Sequence, residues 1–568
     1  MNKEIIDVIS EYENYNLFTC LNKIESIENS LLFKDLSILE KFFLLVYEVC
    51  SYDQLLFPEE VKSRLSKVNK LLPEQNFSLD DVSKFIFLTL TIWKLINTNN
   101  DIEIDKEIAI AEKLRISLFE RSNNESDILD LKLICLYYLV LSMYYMKENT
   151  WEKAYSYIQD YRNLADETKT SIIIYDSYNV LIHYYFLRKD LHSEMNQNIR
   201  RINYFESKND LVFICLCYIM DAYFYYNGLG DLKTALSLND KAQLILKNLA
   251  FDTENALTVH YHAFTNRGKI LLLMGKYDEA INAFNTALQY AITISDTYKF
   301  AIFVMSQYNN FSQVYSESGD YQTALEYQNK AQTIRKIKDH SLGNFTFRNL
   351  FNLVFLNLKV GNLKEAQNNF EILEYQFQNN KGFNYFNNLQ NAYIITKALL
   401  LIEEKTMKTT VEAQELLQTI VVESNLTTPD ILEALLPLID LTIQEYKIYQ
   451  KQEVFESIES FISRLRELAE IMNSIPIKIR LLIVLGKLDL ILGKHSSFEK
   501  LFSEAKRLAS EYDLKAYEEL IDEESKKSEI SKWKSLLINN ASLAERLDIV
   551  NLANYVRDAS TLLNKQNH

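Results

Sequence analysis

The sequence predicts an all-α fold, a right-handed α-solenoid of antiparallel helix pairs. Three observations carry that prediction. Gly and Pro are scarce, ten and five among 568 residues, against average usage of about 7% and 5%. Tight hairpins and glycine-rich ligand loops need those residues, so all-β and Rossmann-like folds are excluded. A short phrase returns every forty-odd residues, the mark of a repeat architecture. No Pro/Gly/Ser-rich stretch divides the chain, so its length reads as one continuous stack of helices.

Residues 1–145 show helical periodicity without the repeated phrase and read as degenerate helix pairs at the start of the stack. Lys84–Ile96 is a strong helix, with Ser78 as an expected cap upstream. The apolar stretches Leu131–Met146 and Leu211–Tyr226 carry Lys132 and Asp221. Both fall short of the ~20 apolar residues a membrane span needs and read as buried core helices.

Residues 146–380 hold the clear repeat. GDLKTA begins at Gly230, GKYDEA at Gly275, GDYQTA at Gly319 and GNLKEA at Gly361. Two weaker copies end at Ala154 and Glu194, the second with its alanine lost. Successive phrase ends are 40, 41, 45, 44 and 42 residues apart. Each Gly is placed to end a helix in the left-handed conformation. Asp231, Asp320 and Asn362 then follow as caps for the next helix. Ala235, Ala280, Ala324 and Ala366 permit close helix approach, as do Ala242, Ala287 and Ala331 one turn pair later. Leu373 takes that second place in the fourth copy, which predicts looser or shifted packing there. Apolar residues on either side of Gly275 recur at i, i+3, i+4 and i+7, so each unit is a helix, a tight turn and a second helix.

These units resemble tetratricopeptide repeats in a long form of about 42 residues, similar to those of kinesin light chain and of MalT-like regulators. Asn266, Gly268, Gly275, Tyr277, Ala280, Phe284 and Ala287 stand where the pattern wants them, as do Asn310, Ser312, Tyr315, Gly319, Tyr321, Ala324 and Ala331. The resemblance implies a superhelix whose first helices line a concave groove.

Residues 381–522 read as further degenerate repeats. Thr428-Pro429-Asp430 is a helix start, Pro437 is expected to kink or break that helix, and Gly493-Lys494 looks like a worn repeat turn. Residues 523–568 read as a C-terminal capping hairpin, with Ser542 to Glu545 as a capping box.

Chemistry is thin. Cys20, Cys50, Cys135, Cys215 and Cys217 are odd in number and irregular in spacing, and read as buried thiols of a cytoplasmic protein. His260 and His262 point apart on a helix, and no metal, nucleotide or catalytic motif stands out. No cofactor is expected, and the chain reads as a non-enzyme. The net charge of −16, without a basic block, argues against nucleic acid as partner. Membrane association is not expected either.

The most informative polar feature is an asparagine ladder. Asn266, Asn310 and Asn352 each lie nine residues before a repeat glycine. With Lys269, Asn309 and Gln313 they form the candidate concave-face set for a protein or peptide partner, since an amide donates and accepts at once. The same amides could instead tie a helix to its neighbour. The expected function is a protein–protein interaction scaffold. A MalT-like sensor acting through a separate ATPase, kinase or transcription factor is one alternative, and a Rap-like regulatory enzyme on a helical scaffold is another.

Overall fold

The computed structural model describes residues 1–527 except 55–57, 72–79, 99–103, 123–127, 189, 248–252, 299–300, 339–342, 380–386, 405, 423–427, 450 and 492–493. Most of the capping hairpin expected over residues 523–568 therefore lies outside the described residues. So do Ser78 and Gly493.

Within them the chain is helical, with no strand among the described residues. The N-terminal helices are α1 (Lys3–Glu13), α2 (Leu17–Glu28), α3 (Leu32–Asp35), α4 (Ile38–Gln54), α5 (Pro58–Leu65), α6 (Asp81–Thr98) and α7 (Ile104–Ser122). The repeat region comprises α8 (Ile128–Lys147), α9 (Trp151–Thr168), α10 (Ser171–Leu187), α11 (Leu191–Lys208), α12 (Leu211–Tyr223), α13 (Leu232–Leu246), α14 (Glu254–Met274), α15 (Tyr277–Tyr298), α16 (Ile302–Glu317), α17 (Tyr321–Lys338), α18 (Gly343–Lys359) and α19 (Leu363–Asn379). The last third comprises α20 (Asn387–Glu403), α21 (Met407–Val422), α22 (Thr428–Tyr449), α23 (Gln452–Met472), α24 (Ile475–Ile491), α25 (His495–Glu511) and α26 (Lys515–Lys527).

From α6 onward each even-numbered helix pairs with the odd-numbered one after it, and pair stacks on pair. Every repeated phrase opens an odd-numbered helix. Gly230, Gly275, Gly319 and Gly361 all have φ between 73° and 86°, as a helix-ending glycine requires. Turns without glycine use Asn149, Asn209 and Asn473 in the same left-handed region, which Asn tolerates best among the rest. Asp231 accepts from the Thr234 amide at 3.0 Å and Asp320 from that of Thr323 at 3.0 Å, so both cap as expected. The cap of α6 is Asp80, which accepts from the Ser83 amide at 2.9 Å.

The seven small alanines of the phrase are fully buried at helix crossings. Leu373, in place of the eighth, is also buried and packs with Leu350, beside Phe370, Phe377 and Tyr393. Gly268 leaves room for the ring of Phe284, which a Cβ would meet at 2.3 Å. The helix α22 continues through Pro437 from Thr428 to Tyr449, correcting the expected break. The leucines around it, Leu435 and Leu438, are fully buried, and packing of this kind offsets the lost backbone hydrogen bond.

One apolar core extends from Ile5 to Ala331, so the N-terminal helices share it with the repeats. Leu129–Lys147 and Leu211–Leu229 pass a length-and-hydropathy test for a membrane span, yet both contribute to this core. A second core runs through α20–α26 and reaches back to Leu273, Tyr277 and Phe351. The return is direct. Ser474 donates to the Leu273 carbonyl at 2.6 Å across 201 residues, satisfying an otherwise orphan acceptor at the end of α14. A Cβ on Gly275 would meet Pro476 at 2.7 Å, and one on Gly319 would meet Ala516 at 2.8 Å. The superhelix thus closes on its own middle repeats.

The lost alanine leaves a mark. Glu194 is 1% exposed, and its Oε2 finds no hydrogen bond. Burial, then the nearby Asp221, pushes its carboxyl up to about 8. Asp221 itself is paired with Arg201, which also donates to Asn198 at 3.1 Å.

Two outcomes follow from these packing sites. Gly275→Ala should lower stability by about 1–3 kcal/mol, since it strains a left-handed residue and displaces Pro476; urea denaturation followed by circular dichroism reads this. For Glu194, the folded carboxyl keeps its proton to about 8 while the unfolded one ionises near its ordinary 4.5. Stability must therefore fall as pH rises across that window. Glu194→Gln should flatten the fall and raise the melting temperature at pH 9, with little change at pH 4.

Candidate functional site

Closure of the superhelix encloses a cavity of about 310 Å³. Seven even-numbered helices, α14 to α26, present residues to it. Most line it at helical spacing, as with Phe351, Asn352, Phe355 and Lys359 of α18. The second helices stay outside, apart from Tyr321 at the start of α17. First helices face inward because their small partners, the phrase alanines, let the second helices pack behind them.

The walls are mainly apolar, with Leu272, Ile395, Leu432 and Ile477 contributed by four different helices. Polar groups cluster on one side. Arg480 of α24 pairs with Glu317 of α16 at 2.9 Å, an ion pair that spans the closure. The Arg480 guanidinium also lies 5.5 Å from the ring centre of Tyr517. Tyr517 is 4% exposed, and its hydroxyl makes no hydrogen bond. The ammonium of Lys359 lies 5.1 Å from the ring centre of Phe355. Burial and the neighbouring Arg480 push it down to about 8.

The sequence-predicted set divides. Gln313 and Asn352 line the cavity, Gln313 exposed and Asn352 partly buried. Asn266 is 7% exposed; it donates to the Ile219 carbonyl at 2.9 Å and accepts from the Tyr226 hydroxyl at 3.4 Å. Asn310 is buried and donates to Gln307 at 3.1 Å, while Gln307 donates to Thr265 at 2.8 Å. Asn309 accepts from Gln328 at 2.9 Å. Asn266 and Asn309 thus tie neighbouring helices, the second of the two roles open to these amides, whereas Asn310 bonds within α16 to the Gln307 that makes the tie to α14. Lys269 stands outside the cavity lining, and its charge adds to the burial that pushes His262 down to about 4.

Lys359, Arg480 and Tyr517 escaped the sequence reading, because each belongs to a helix brought in by closure or to the end of one already assigned. Gln328 carried a signal. It stands 44 residues after Phe284, so it replaces the core aromatic of the preceding repeat and needs an amide partner. Gly486 and Phe502 repeat the sixteen-residue spacing of Gly268 and Phe284. A Cβ on Gly486 would meet that ring at 2.7 Å.

Among the described residues no group of three or more His, Cys, Asp or Glu is placed to hold a metal ion. His260 stacks on Tyr290 with ring centres 4.9 Å apart.

The burial contrast within the ladder has a measurable consequence. Asn266→Ala removes the buried hydrogen bonds to the Ile219 carbonyl and from the Tyr226 hydroxyl and should cost about 1–3 kcal/mol. Asn352→Ala removes a cavity-facing side chain and should stay within about 0.5 kcal/mol. Urea midpoints of the two single variants test this.

No curated protein matches significantly. Among solved structures, the apo form of RapI is 15% identical, with a TM-score of 0.43, over 67% of this chain and 98% of that one. A Rap protein complexed with Competence and Sporulation Factor is 13% identical, with a TM-score of 0.37, over 76% and 99%. Yeast Tom70 is 13% identical, with a TM-score of 0.32, over 90% and 98%. The family model for the tetratricopeptide repeat matches residues 256–337, the span built around Gly275 and Gly319. That segment is a run of tetratricopeptide repeats set within a longer helical-repeat chain.

Proposed function

We propose that this chain is a non-catalytic interaction scaffold whose inner cavity receives a segment of a peptide or protein partner. Tetratricopeptide repeats support the scaffold role. The observation that carries the cavity assignment is convergence: the first helices of seven successive units meet on one apolar space. A cavity of about 310 Å³ lies at the lower end of the usual range for ligand sites, ~300–1,000 Å³. It suits a few side chains rather than a folded domain. Phe351 and Phe355 offer flat apolar surface, and their rings stack 6.5 Å apart. Gln313 and Asn352 offer amides beside them, suited to an extended backbone. The helices are held by their own packing, so little ordering is required on binding.

A displayed heptapeptide library selected against the full chain tests this reading. Enriched peptides should carry apolar anchors. Their affinity should fall about tenfold in a Gln313→Ala/Asn352→Ala double variant of unchanged melting temperature, equivalent to ~1.4 kcal/mol. Enrichment that is indifferent both to this variant and to filling the cavity by Leu436→Trp would remove the cavity from the proposal.

A further inference from the structure

We infer that the occupant of the cavity carries a carboxylate on an apolar body, with Lys359 as its counter-ion. This rests on the cavity being the recognition site, and it specifies what is recognised.

The inference comes from which charged groups are in direct contact. Two cationic side chains line the cavity, Lys359 and Arg480. Arg480 is neutralised by Glu317 at 2.9 Å. Lys359 has no ion pair of its own among the described residues. The charged and titratable groups that face it are Arg480 on α24, Glu317 on α16, Glu403 on α20 and Asp440 on α22. Glu317 is already engaged, and neither Glu403 nor Asp440 comes within ion-pair distance. Glu433 and Glu519 also line the cavity, with both side chains exposed to solvent. Lys359 rests instead on the face of Phe355, 5.1 Å from its centre.

Lys359 is half-buried and has carboxylates near it but none in direct contact; burial and Arg480 outweigh those carboxylates and lower its proton affinity. A ligand carboxylate would give Lys359 a direct ion pair. The hydroxyl of Tyr517, buried and without a hydrogen bond, is a neutral donor in the same cavity. The remaining walls, among them Leu432, Leu436 and Ile477, would bury the apolar body. The acid could come from an acidic side chain within a peptide or from a small aliphatic acid, and the chemistry at Lys359 is the same.

Titration calorimetry on the full chain separates these cases. The probes are decanoate against decanol, and an end-capped apolar pentapeptide with one Glu against its Gln twin. At pH 6.5 at least one anionic probe should bind about tenfold more tightly than its neutral counterpart. The preference should vanish by pH 9.5, as Lys359 loses its proton through about 8. Lys359→Met should abolish the preference at both pH values. Lys359→Arg should keep it at both, because a guanidinium stays charged; a merely structural lysine would show no such rescue. Which probe pair shows the preference identifies the source of the acid. Equal binding of anionic and neutral probes overturns the counter-ion and leaves the cavity reading intact. Failure of every probe, or binding unaffected by Leu436→Trp, overturns both.

Discussion

The structure depends on the close approach of α24 and α26 to the turns that end α14 and α16. Two conditions meet at those turns. The backbone must enter the left-handed region, and the space above it must be empty of side chain. Gly275 and Gly319 satisfy both, with φ of 83° and 86° and with Pro476 and Ala516 where a Cβ would stand. A glycine selected for turn geometry alone would be replaceable by Asn, as at Asn149 and Asn209. At Gly275 and Gly319 it is not, because the second condition forbids any side chain. Ser474 and the Arg480–Glu317 pair then fix the orientation of the seated helices.

A comparable junction secures the other end. The α2 amides of Phe18 and Thr19 donate to the two oxygens of Glu254 at 2.6 and 2.8 Å, across more than 230 residues. The local candidate, Asn16, spends its side chain on Glu11 instead. A carboxylate at a helix N-terminus answers both the orphan amides and the helix dipole. Phe18 also packs edge-on against Phe303 of α16, with ring centres 5.4 Å apart. The terminal helices therefore add contacts that an open solenoid, touching only its neighbours, would lack.

Much of the fold was legible because its determinants are local and periodic. The glycines, the caps at Asp231 and Asp320 and the buried alanines all follow from one phrase. Closure was not legible, since nothing in a period of about 42 residues states that Pro476 will meet Gly275. The site suffers from the same blindness. Asn266, Asn310 and Asn352 share a register, yet burial separates them. Asn266 is covered by α12 and the turn after it, while Asn352 looks into space that only closure defines. Equal position in a repeat implies equal environment in an endless array, and this array is neither endless nor uniform. Gln328, where the pattern expects an aromatic, was the one local sign that the third clear repeat packs through amides.

Closure also bears on function through linkage. The cavity walls run from α14–α18 through α20 and α22 to α24 and α26, and the first and last of these groups adjoin only because the superhelix closes. An occupant touching both sides binds the closed form and not an open one, so it must stabilise closure by its own binding free energy. Conversely, whatever loosens the Gly275–Pro476 or Arg480–Glu317 contact weakens binding by the factor by which it lowers the closed population. The residues that hold the ends of the chain together and the residues that contact the occupant are thus thermodynamically coupled. Lys359 sits at the end of α18, between the repeat array and the returning helices. Its ammonium, without a direct ion pair, lies where the proposed ligand would join the two.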